Sequence, residues 1–270
     1  MGEKSAIIRY EGVVIITGGS KGIGEGCARA FCAAGGRVVI ADVDETAGRA
    51  LAEALNAAGP GQCLYLRCDV RDTAQLNLTI EAAAAHFGQL DCLINNAGWH
   101  PPHKPIDDFS IEEFKDLLDL NLIAVFAGCK FALPFLRKTH GSIINISSLV
   151  AVIGQEHATT YCATKGAVSS FTKALAIDEA RHGVRVNAVL PGNVMTSMRI
   201  ASVAMAPDPE ALNKTIESWQ WIGRSASMDE IGQICLFLAS EAASYVTGIE
   251  FHATGGAELG YGAKLPATLG

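Results

Sequence analysis

Tyr161 and Lys165 stand four residues apart in the run TTYCATKGA (159–167), a spacing that places both side chains on one face of an α-helix. Between 141 and 172 the only side chains certain to be ionised at neutral pH are Glu156 and Lys165. A charge in such small and apolar company needs a partner or a task. The chemistry open to this pair is proton transfer. A tyrosine titrating near pKa 10 serves as a base at neutral pH only if its phenolate is stabilised by roughly 3 pKa units, about 4 kcal/mol, and an ammonium one turn away is a suitable source of that field. Ser148 closes the β-rich run GSIINISS and offers a hydroxyl ahead of Tyr161. Asn121, inside the helical pattern FKDLLDLNLIAVFAGCKFALPFL, needs polar partners wherever it is buried.

A second group of residues could bind a nucleotide. TGGSKGIG (17–24) follows the run GVVIIT and carries Gly18, Lys21, Gly22, Ile23 and Gly24. It is G-x-x-x-G-x-G rather than G-x-G-x-x-G, yet the physics is shared: the glycines let the backbone turn sharply and approach a pyrophosphate at a helix N-terminus. Asp42 closes the next β-rich run. A carboxylate there accepts from the adenosine ribose hydroxyls and repels a 2′-phosphate, which predicts NAD over NADP. Lys21 pulls the other way, but its side chain can swing into solvent, so Asp42 decides the expectation.

These residues need a scaffold of strands ending at one crevice. Seven β-rich runs occur, at 12–19, 36–43, 63–70, 91–98, 141–148, 184–192 and 247–256. The first six are separated by segments long enough for a helix, and runs so continuously apolar suit strands covered on both faces. The expected architecture is α/β: a single-domain, Rossmann-type, doubly wound and mostly parallel seven-stranded sheet with helices on both faces. SIEE (110–113) and SMDE (227–230) match the capping box and mark two helix starts. No repeat or linker divides the chain, so 1–270 is read as one domain. A substrate lid is expected at about 196–222 and a C-terminal tail at about 257–270. The lid's methionines 195, 198 and 205, with Trp219 and Trp221, suggest an adaptable apolar lining.

Composition limits the alternatives. Of 270 residues, 49% are hydrophobic and 18% charged, with a net charge of -7 and no basic cluster, which argues against nucleic acid or an anionic membrane as partner and for a small molecule. The first residues read neither as a signal peptide nor as an anchor, and no apolar run reaches the length of a membrane span. The eight cysteines contain no C-x-x-C pair and read as buried free thiols rather than disulfides or metal ligands. No metal is expected. The chain is read as cytoplasmic.

The glycine turn and Asp42, together with NNAG (95–98), Asn121, Ser148, Tyr161, Lys165 and PGNVMT (191–196), resemble the ordered motif set of the short-chain dehydrogenase/reductase family from about residue 10 to 256. The resemblance implies NAD-dependent oxidation of a secondary alcohol or sugar hemiacetal. It makes Tyr161 the general acid/base, Lys165 its electrostatic partner, Ser148 the holder of the substrate oxygen, and Asn121 the holder of a water linking Lys165 to solvent. Asp69, with Val70 beside it, would meet the adenine, Asn96 and Gly98 the ribose side, and Val194 and Thr196 the nicotinamide amide. The family also implies a homo-oligomer, expected as a tetramer.

On the substrate side, His100 follows the NNAGW turn and Gln155 lies seven residues past Ser148, with Trp99, Glu156 and His157 nearby. NNAGWHPP, SSLVAVIGQ, PGNVMT and TGGAELGYG further resemble a branch of the family whose substrates are L-fucose or a 17β-hydroxysteroid. Polar groups at His100 and Gln155 favour the sugar; an apolar tunnel beneath the lid would favour the steroid. Two other functions stay open on sequence: an NADPH-linked carbonyl reductase, suggested by Lys21, and a non-catalytic NAD(H)-binding module on the same fold.

Overall fold

A computed structural model describes residues 8–259. Strands β1 (Val13–Thr17), β2 (Arg37–Asp42), β3 (Gln62–Arg67), β4 (Cys92–Asn95), β5 (Ser142–Ile146), β6 (Arg185–Pro191) and β7 (Glu250–Ala253) form one sheet in the order β3-β2-β1-β4-β5-β6-β7. Every pairing is parallel. All seven expected strands are present, each shorter than its apolar run because the flanking glycines and asparagines belong to turns. Every residue of β1, β4 and β5 is buried, as continuous apolar runs require. Within β1, Val14 and Ile16 point into one core layer and Val13 and Ile15 into the other.

Helices α1 (Gly22–Ala33), α2 (Glu45–Ala58) and α9 (Met228–Ala239) cover the first face. Helices α3 (Thr73–Phe87), α5 (Ala124–Thr139) and α6 (Thr159–Ala180) cover the second. Fully burying each aliphatic side chain in such layers contributes about 1.5–3 kcal/mol, which is why the sheet needs both coats. α1 and α9 cross at backbone contact: a Cβ at Gly26 would lie 2.2 Å from the Met228 carbonyl, and one at Gly232 would lie 2.3 Å from the Gly26 carbonyl.

Both capping boxes form. Ser110 starts α4 (Ile111–Leu118) with Glu113 reaching back, and Ser227 starts α9 with Glu230. A π-helical turn, Asp119–Ile123, joins α4 to α5 and carries Asn121. The resulting helix, Ile111–Thr139, holds a window apolar enough to cross a membrane, but half of that window is buried inside the fold, as in a core helix. The sheet order reverses between β1 and β4, and the crevice outside the carboxyl ends of these strands is where such folds bind ligands.

Candidate active site

The glycine turn after β1 has the conformation that its composition demands. Gly18 and Gly22 adopt φ of +61° and +59°, and a Cβ on Gly24 would stand 2.2 Å from the Gly18 carbonyl, so the turn closes only around glycine. The N-cap of α1 is Lys21, which makes no side-chain cap, so the first-turn N–H groups face the crevice. Asn96 staples the turn, its Nδ2 donating to the Thr17 and Gly18 carbonyls at 2.9 Å each. Asp42 Oδ2 accepts from the Ser20 N–H at 3.0 Å and the Ser20 hydroxyl at 2.5 Å, and Oδ1 accepts from the Asp44 N–H. Lys21 does not swing free: it pairs with Asp44 at 2.6 Å, which raises the lysine pKa and lowers that of the carboxylate.

At the other end of the crevice lie the proton-handling groups. Lys165 is buried, and its Nζ donates to the Ile146 carbonyl at 2.9 Å while lying 5.8 Å from the centre of the Tyr161 ring. Burial lowers the lysine to about 8. Burial pushes the Tyr161 phenol up to about 12, while a hydrogen bond with the Ser148 hydroxyl pulls it down. Desolvation of the phenolate is the largest influence on the ring. Ser148 stands just beyond β5 and caps the short 3₁₀ turn Leu149–Ala151.

Asn121 is buried and has the polar partners its burial demands. Its Oδ1 accepts from the Trp99 N–H at 2.9 Å, and its Nδ2 donates to the Trp99 carbonyl at 2.9 Å and to the Thr164 hydroxyl at 3.3 Å. Thr164 passes the contact on by donating to the Tyr161 carbonyl at 2.9 Å. Ser147 likewise donates to the Lys165 carbonyl at 2.9 Å. Sequence reading missed Ser147 and Thr164; the doubled serine 147–148 and a mid-helix threonine beside Lys165 were the available signals.

His100 and Gln155 are brought together as expected, Nε2 lying 3.1 Å from Oε1. The imidazole packs 4.1 Å from the Tyr161 ring, centre to centre, and its Nδ1 faces the Pro101 carbonyl at 2.7 Å. Since a carbonyl only accepts, Nδ1 carries the proton, and a neutral ring then accepts at Nε2 from the Gln155 amide turned over. Glu156 and His157 are exposed loop residues outside the crevice.

The cleft, about 730 Å³, runs from the glycine turn past Asp69, Val70, Gly98, Ser148 and Tyr161 to Val194 and Thr196. Asp69 borders the cleft and is held by Arg71 through two bonds, at 3.0 and 2.7 Å. The lid folds as α7 (Ser197–Ala204) and α8 (Pro209–Ser218), capped by Thr196 and Asp208. Of its expected apolar lining only Met198 borders the cleft. Met205 is 87% exposed, and Trp221 packs beside Gly256 instead. The tail from 257 is described only to Leu259; the rest lies outside the described residues.

The crowded glycines, the open N-terminus of α1 and the carboxylate closing β2 fit a dinucleotide. This fold and site define an oxidoreductase: the chain belongs to the short-chain dehydrogenase/reductase family, and residues 18–258 match a family model described as enoyl-(acyl carrier protein) reductase. Its relatives include the L-fucose dehydrogenases of Oryctolagus cuniculus, 47% identical over 94% of this chain and 88% of the relative, and of Bos taurus, 48% identical over 95% and 93%. Among solved structures, levodione reductase superposes with a TM-score of 0.88 at 30% identity, covering 92% of this chain and 98% of that one. The Cj0485 dehydrogenase gives a TM-score of 0.86 at 29% identity, covering 94% and 96%.

Proposed function

We propose that the protein is an NAD-dependent dehydrogenase that oxidises a sugar hemiacetal, with L-fucose as substrate. The observation that carries the substrate reading is the polar His100, which borders the cleft, packs against Tyr161 and is held from behind by Gln155 outside the cleft lining; it suits a compact, hydroxyl-rich ligand. The L-fucose dehydrogenases at 46–48% identity support it. When bound, the cofactor supplies the hydride acceptor and a positive ring. Ser148 Oγ holds the substrate oxygen, Tyr161 Oη takes the hydroxyl proton as hydride leaves the carbinol carbon, and Lys165 favours the phenolate. Asp69, Asn96 and Gly98 serve the adenosine half, and Val194 and Thr196 the nicotinamide amide.

NAD preference rests on Asp42, whose oxygens keep lone pairs for ribose hydroxyls while Lys21 is neutralised by Asp44. A 17β-hydroxysteroid is the competing substrate, and the outward-facing Met205 and Trp219 leave it little apolar tunnel. Eight free cysteines support a reducing, cytoplasmic setting. The groove of about 290 Å³ on α5 and α6, lined by Phe126, Leu133, Phe171 and Leu175, is an apolar surface that supports a homo-oligomer, while the tetrameric count rests on the family resemblance alone. Initial rates with L-fucose, other aldoses and estradiol, each with NAD⁺ and NADP⁺, test the reading. A faster reaction with estradiol, or a higher kcat/KM with NADP⁺, would overturn the corresponding part.

A further inference from the structure

Arg199, on the first turn of α7, borders the same cleft as His100, Ser148 and Tyr161. Its backbone is fixed, since its N–H donates to the Thr196 side chain at 3.2 Å. Its guanidinium is unusually poorly served. One terminal nitrogen donates to the Asn213 amide oxygen at 2.8 Å, the other meets only the Met195 thioether, and the buried Nε has no acceptor. Among the described residues Arg199 forms no ion pair with a carboxylate, and unlike Arg37 and Arg185, which also form none, it does not donate to several carbonyls. A thioether is a weak acceptor, and a guanidinium is a rigid fork suited to two oxygens of one anion. A half-buried fork with one nitrogen unpartnered and another on a weak acceptor, bordering a ligand cleft, is a recognition group in need of an oxyanion.

We infer that Arg199 is the anion-recognition residue of this cleft, binding an anionic oxygen carried in by a ligand, either the cofactor's pyrophosphate or a carboxylate on the substrate. The inference rests on the cleft being the nucleotide and substrate site, and is independent of L-fucose being the substrate. A carboxylate source would extend the substrate class from neutral sugars to hydroxy acids such as uronic acids. The rival role is a strut between α7 and α8 through Asn213.

Calorimetric titrations that need no turnover separate these cases. The full chain and its Arg199→Gln, Arg199→Lys and Asn213→Ala variants are titrated with ADP-ribose and with adenosine. Each protein is then saturated with NADH and titrated with L-fucose and with L-galacturonate, the acid of matching configuration. For a pyrophosphate, Arg199→Gln weakens ADP-ribose about tenfold and spares adenosine; for a substrate carboxylate, it weakens L-galacturonate about tenfold and spares L-fucose. In either case Arg199→Lys recovers only part of the affinity, since the ammonium keeps the charge but not the fork, and Asn213→Ala changes little. Unchanged affinity for both anions in Arg199→Gln, or equal losses in Asn213→Ala, would overturn the inference. If L-fucose is not oxidised at all, the substrate reading fails while these titrations still decide the role of Arg199.

Discussion

The Lys165 ammonium donates to the Ile146 carbonyl at 2.9 Å, so the catalytic helix α6 is pinned by its own charge to the end of β5. The same charge has been carried out of water to stand 5.8 Å from the Tyr161 ring. That cost is visible in a folded-state pKa of about 8 against an ordinary value of 10.5.

The cost makes stability depend on pH in a defined direction. Because the folded pKa is depressed, the unfolded chain binds more protons between pH 8 and 10.5, and folding gains stability as pH rises through that window, by at most about 3 kcal/mol. Lys165→Met should therefore melt higher than the parent at pH 7, with the gap narrowing as pH approaches 10.5. Melting curves of both proteins across that range check the sign; a widening gap would contradict it.

Tyr161→Phe removes the proton acceptor while preserving the ring against His100. Turnover should fall by about 10²–10⁴-fold, the usual contribution of a positioned acid/base, with NADH affinity retained in a fluorescence titration. An undiminished rate would show that Tyr161 is not the acid/base.

Asp42→Ala removes a carboxylate whose repulsion of a 2′-phosphate at contact distance amounts to about 1–4 kcal/mol. The ratio of kcat/KM for NADP⁺ over NAD⁺ should rise by about tenfold or more. Affinity for NAD⁺ should fall as well, since Ser20 loses its anchor in the glycine turn. Steady-state kinetics with both cofactors read both effects.

Asn121→Ala leaves the Trp99 N–H and carbonyl without their side-chain partners in a part-buried place and removes a fully buried amide. Stability should drop by about 1–3 kcal/mol, measured as a lower denaturant midpoint. Because Thr164 links Asn121 to the Tyr161 carbonyl, kcat should fall with it.

The sheet and the helix starts were legible because their signals are local. A parallel strand coated on both faces reads as a short, mostly apolar run, and a capping box is closed within four residues. The cofactor turn was legible for the same reason, since Gly24 cannot tolerate a Cβ. What escaped were contacts between elements more than twenty residues apart: Asn121 engaging Trp99 and Lys21 finding Asp44. The phenol of Tyr161 escaped for another reason. Spacing showed that Lys165 was near, but the opposing desolvation depends on what the whole fold packs around the ring.

The crossing of α1 over α9 at Gly26 and Gly232 leaves no side chain between the two backbones. With nothing compressible there, the two helices behave as one welded joint, and the N-terminal end of α1, which borders the cleft at Gly22 and Ile23, inherits its aim from a contact one turn further along. A single methyl group at either glycine would act as a shim, tilting that end and weakening cofactor binding without touching any residue of the cleft.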